Sequence, residues 1–72
     1  MKTKVLTVES VRRRVRNIRK LVNDPEAAHG AEDSLYFDVL RAIADGIPRN
    51  NAQALATEAL KVTDIEFPRW YA

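Results

Sequence analysis

This 72-residue chain contains no cysteine, two glycines, three prolines and a single histidine. Without cysteine there are no disulfides and no thiolate metal sites, and the fold needs no oxidising compartment. With so few glycines and prolines there is little room for long loops, and no Gly-rich segment is available to cradle a phosphate. One histidine with no thiol supplies too few parts for an acid–base or nucleophilic site, so no catalytic residue, metal site or cofactor is expected. Long apolar runs are also missing. The start, "MKTKVLTVES", holds only a short apolar patch broken by Thr7, too little for a signal-peptide core or a membrane span. The reading is a non-enzymatic, cytoplasmic protein with no membrane association.

What the chain does have is a globular balance, 46% hydrophobic and 31% charged residues, richer in apolar groups than a disordered chain. Its length allows one domain over residues 1–72, and a chain this short buries only about 60% of its unfolded surface. The charge is divided. Residues 1–22 hold eight Lys/Arg against Glu9, a net +7, whereas residues 23–72 hold four against nine Asp/Glu, a net −5. Such a division fits either an anion-binding patch or two segments that neutralise one another on packing.

The apolar pattern predicts an all-α, compact three-helix bundle with an ordered aromatic C-terminal tail: helices over 8–22, 25–45 and 51–62, and a tail over 63–72. In the first helix Val8, Val11, Val15, Ile18 and Val22 form one stripe at about 100° per residue. Thr7 is placed to cap it, with Leu6 and Val11 as a hydrophobic staple. Asp24 and Pro25 suit the cap and first turn of the second helix. Gly30 within that helix suggests a break or a close crossing. From Leu35 a wide arc of Leu35, Tyr36, Val39, Leu40, Ile43 and Ala44 faces the core, and Gly46 terminates the helix. Asn50 is expected to cap the third helix with Gln53 as reciprocal partner, and Ala52, Leu55, Ala56, Ala59 and Leu60 share its inner side. Ile65, Phe67, Trp70 and Tyr71 are too apolar to stay in water, so the tail should fold over the bundle.

Three groups of residues are candidates for function. In "AHGAEDSL" His29, Glu32 and Asp33 lie in or beside the apolar arc. An antiparallel hairpin about residues 23–24 sets residue 32 level with 16 and residue 29 level with 19. An intramolecular ion-pair network of Arg12, Arg19, His29, Glu32 and Asp33 is therefore expected, in preference to a metal site, which lacks a further strong ligand. The segment "VRRRVRNIRK" carries six cations, and Arg13, Arg16 and Lys20 point away from its stripe as a basic interaction face able to neutralise phosphates. In the tail, Arg69, Trp70 and Tyr71 are of the types enriched at binding hot spots. A helix-turn-helix around Gly46 is disfavoured, because the connection is long and the following helix lacks base-reading arginines.

One longer pattern runs through Glu26-Ala27-Ala28-His29, Glu32-Asp33, Leu35, Val39-Leu40-x-Ala42-Ile43-Ala44-x-Gly46, Ala59-Leu60 and Glu66-Phe67-x-Arg69-Trp70. It resembles a group of small bacterial and phage-encoded proteins of no assigned activity, over residues 24–72 and hardly in the basic helix. The resemblance implies no reaction, cofactor or substrate. With the composition it leads to a non-catalytic protein-interaction module as the expected function, a small phage or host regulatory or inhibitory protein whose partner is a second protein or a second copy. A nucleic-acid-binding protein using the basic first helix is the alternative.

Overall fold

A threonine and a serine start the first helix. Thr7 accepts a hydrogen bond from the Ser10 amide at 3.0 Å, and the Ser10 hydroxyl accepts one from the Thr7 amide at 3.0 Å. Two amides that the helix cannot pair are thereby satisfied. The computed structural model describes residues 6–69. Helix α1 runs Val8–Lys20, α2 Pro25–Ala44 and α3 Arg49–Ala59, followed by a 3-10 turn over Leu60–Asp64. All three helices pack against one another, giving an all-α three-helix bundle.

The α1 stripe enters the core through Val11, Val15 and Ile18, which meet Ala28, Leu35 and Val39 of α2 and Leu55 and Ala59 of α3. Val62 of the 3-10 turn and Ile65 beyond it complete this core. Phe67 packs against it half-buried, so the described part of the tail docks on the bundle.

Several boundaries differ from the sequence reading, each for a local reason. Helix α1 stops at Lys20 because Leu21–Asp24 form the reversal, with the Asp24 amide donating to the Leu21 carbonyl at 2.8 Å. Val22 thus reaches the core from a turn. Asp24 caps α2 by accepting from the Ala27 amide, with Pro25 in the first turn, and α2 runs unbroken through Gly30. A β-carbon built at Gly30 would meet nothing within 4 Å, so this glycine serves neither a break nor a close crossing. Gly46, with φ of +92°, makes the left-handed turn that ends α2. Helix α3 starts one residue before Asn50, with Pro48 at its cap position and no side-chain cap. The proposed Asn50–Gln53 capping box is therefore not formed. Pro48, which lacks an N–H, still accepts the first helical bond from the Ala52 amide at 2.9 Å.

The wide arc of α2 is only partly covered. Leu40 is 66% exposed, Phe37 60% and Ile43 39%, and Leu60, the first residue of the 3-10 turn, is 58% exposed. Leu40, Ile43, Ala44 and Leu60 were expected to face the core. The core-facing side of each helix is set by two neighbours, and α2 spends its coverage on Ala28, Glu32, Leu35 and Val39.

Candidate functional site

Glu32 is the one polar residue buried in the described core, at 6% exposure. It sits on the same side of α2 as Ala28, Leu35 and Val39, so a carboxylate there requires a cation. Arg69 supplies it. The Arg69 Nε donates to Glu32 Oε1 at 2.9 Å and Oε2 at 3.3 Å. Its Nη2 donates to the carbonyls of Val62 at 3.0 Å and Ile65 at 3.1 Å. The guanidinium carbon also lies 3.9 Å from the Phe67 ring centroid, a cation–π contact. Arg69 is therefore a clamp that neutralises Glu32 and fastens the end of the 3-10 turn to α2. It does not stand out as a free tail epitope. Trp70 and Tyr71, the other two members of that group, lie outside the described residues, as do Lys2 and Lys4.

The remaining charges sort by neighbour. Arg12 turns toward α3, with Nε 3.3 Å from Glu58 Oε1 and Nη2 3.3 Å from Oε2. Lys61 joins the same carboxylate at 2.9 Å. Hydrogen bonds from Arg12 and then Lys61 hold the Glu58 carboxyl below its ordinary value, and Glu58 in turn raises the Arg12 guanidinium. Arg14 turns toward α2, bonding Asp38 at 2.8 Å and Ser34 at 3.2 Å. Arg16 approaches only Glu9, at 3.9 Å. The expected network of Arg12 and Arg19 with Glu32 and Asp33 is thus rearranged: Arg12 serves α3, Arg69 serves Glu32, and Arg19 is exposed. The reason is azimuth. Arg14 reaches Ser34 and Asp38 of α2 while Arg12 reaches Glu58 of α3, so α2 packs on the Arg14 side of the α1 stripe and α3 on the Arg12 side.

His29 lies beside Asp33, with Nε2 3.4 Å from Oδ1. Candidate ligand atoms of His29, Glu32 and Asp33 fall within 4.8 Å of one another. Both Glu32 oxygens already accept from Arg69, so a cation there would have to share the carboxylate with the clamp. Burial, followed by the Glu32 charge, pushes the nearby Tyr36 phenol above its ordinary value.

Two surfaces remain. On the outside of α1, Arg13, Arg19 and Lys20 are exposed and make no ion pair among the described residues, and Arg16 is nearly free. Across the bundle, α2 and α3 form an open groove lined by Ile43, Arg49, Ala52, Gln53 and Ala56. Leu40 stands one turn from Ile43 on α2, and Leu60, where α3 passes into the 3-10 turn, one turn beyond Ala56, so both extend the same apolar face. The sequence reading missed this surface. Its signal was present as an arc too wide for one helix to bury. No family model, curated protein or solved structure matches the chain. No helix among the described residues is long and apolar enough to cross a membrane.

Proposed function

We propose that this chain is a non-catalytic protein-interaction module that docks through the outer face of α2 and α3. The observation that carries this reading is the exposure of Phe37, Leu40, Ile43 and Leu60, with Ile43 lining the groove. Fully burying one large apolar side chain is worth about 1.5–3 kcal/mol. A small domain with few such groups to spare leaves four of them exposed, where a partner would cover them. The charged groups support the same assignment, since Arg12, Arg14 and Arg69 are committed inside the fold. A regulatory or inhibitory role toward a phage or host protein in the cytoplasm suits a module with this little chemistry of its own.

Arg13, Arg16, Arg19 and Lys20 favour a second reading, in which α1 binds nucleic acid. The two readings place the contact on opposite sides of the bundle, so one experiment separates them. Tagged wild type, Leu40→Glu and the triple variant Arg13→Glu/Arg16→Glu/Lys20→Glu are used to capture host components with and without nuclease treatment. The interaction reading expects a partner lost with Leu40→Glu and kept by the triple variant. The reverse pattern, with duplex DNA retained above about 200 mM salt, replaces it with the nucleic-acid reading.

A further inference from the structure

We infer that the occupant of the α2/α3 face is a second copy of this chain, packed antiparallel about a two-fold axis beside Leu40. The inference rests on the docking reading above and adds the partner and its geometry. A two-fold interface lays a surface on its own reversed image, so it needs a patch whose two ends complement each other. This face has them. At one end stands the exposed Asp33, and at the other Arg49 borders the groove next to Ile43. Between them the outer side of α2 carries Phe37, Leu40, Ile43 and Ala44, and the facing side of α3 carries Ala52, Gln53 and Ala56, none of them charged.

The register follows from helix geometry. With Leu40 at the axis, Phe37 lies level with Ile43 of the second copy, so large apolar side chains meet on both sides of the axis. Asp33 lies seven residues before Leu40, about 10 Å along α2. Reversal carries it toward the start of α3 in the second copy, within reach of the Arg49 guanidinium. Each apolar centre is then covered and each end meets opposite charge. A standard interface takes about 800 Å² from each partner, about a seventh of the 5411 Å² surface of this chain. The outer sides of two helices supply that area.

Other occupants fit the rim less well. Nucleic acid would leave the apolar centre uncovered and would meet Asp33. An amphipathic surface for anionic lipid carries several cations on its polar border, whereas here Asp33 stands across the apolar centre from Arg49.

The test uses the absence of native cysteine. Leu40→Cys places a lone thiol beside the axis and Arg13→Cys places one on the outside of α1. Under mild oxidation the first is expected to form a covalent dimer at least tenfold faster than the second. In sedimentation equilibrium between about 1 µM and 1 mM, a range spanning weak to moderate association, wild type should shift from 8.2 kDa toward twice that mass. Leu40→Glu, with helicity checked by circular dichroism, should stay at the monomer mass. Asp33→Arg should weaken the dimer about tenfold, and adding Arg49→Asp should restore it. Wild type that remains monomeric throughout, or a dimer indifferent to Leu40→Glu, overturns the inference. If monomeric wild type still captures a host protein through Leu40, the docking reading stands without self-association. If it captures none, both fail.

Discussion

The two sides of the bundle are built on opposite principles. Around α1, side chains of high charge are stitched to their neighbours: Arg12 to Glu58, Arg14 to Asp38. Across the bundle, α2 and α3 meet over alanines and leave Phe37, Leu40 and Ile43 bare. Part of the charge that looks like a binding signal in the sequence is used within the fold, through Arg12 and Arg14, and part of the apolar arc that looks like core faces outward, at Leu40 and Ile43. For a domain of this size the more informative surface residue is the exposed large apolar one, because the charges have intramolecular uses.

Three measurements would break or sharpen that contrast. The largest effect is expected at the clamp. Arg69→Ala strands the Glu32 carboxylate in the core and removes a donor from two carbonyls. Removing one member of a buried pair costs about 3–5 kcal/mol. Because Arg69 is one-third exposed, about 2–3 kcal/mol is expected. In a domain this small that lowers the melting temperature by at least about 10 °C, read by circular dichroism at pH 7. A change of about 2 °C or less would show that the Arg69 clamp contributes little to the fold. The double variant Glu32→Met/Arg69→Met should recover part of the loss, since well-packed apolar groups can replace an ion pair, but not the carbonyl bonds.

A smaller, pH-dependent effect is expected at Glu58. Its carboxyl titrates lower in the folded chain than the ordinary 4.5, held down by Arg12 and Lys61. A group whose folded value is depressed contributes fully above its unfolded value, and the contribution disappears as pH falls through the folded one. Glu58→Gln should therefore melt below wild type at pH 7, with the gap closing as the pH is taken below about 4.5. A gap that persists to pH 2 would mean that the Arg12–Glu58 contact acts through packing alone.

The smallest effect has the opposite sign. Gly30 is exposed in the middle of α2 with open space where a β-carbon would sit. Gly30→Ala should stabilise by about 0.5–1 kcal/mol through helix propensity and the unfolded chain, without altering any association through Leu40. A destabilised Gly30→Ala would reveal a neighbour at that position.

Helix number and approximate extent were legible because they are local. The Val11-Val15-Ile18 stripe, the Asp24-Pro25 start and the Gly46 stop are each signalled within one or two turns. The packing of α1 on α2 was legible too, since a short reversal joins them. The direction in which each helix turns its flanks was not. A stripe names the side that is buried but not which neighbour stands to its left or right, and that choice decides whether Arg12 or Arg14 meets α2. The Glu32–Arg69 pair was half legible. A carboxylate among apolar positions called for a cation, and the arginines of α1 were nearer in sequence than the one in the docked tail. The α2/α3 face escaped because periodicity reports amphipathic character, not how much of an apolar arc the rest of the chain can cover.

The Glu32–Arg69 clamp also bears on how the chain reaches its native state during synthesis. The two residues are separated by 37 positions, so the acidic group emerges from the ribosome long before its counter-charge. Until Arg69 arrives, closing α1 and α2 around Glu32 would desolvate an unneutralised carboxylate. The helices can form early, but their final packing must wait for the C-terminal segment. Vectorial emergence thus gives this bundle a late locking step that its mostly local helices would not otherwise require.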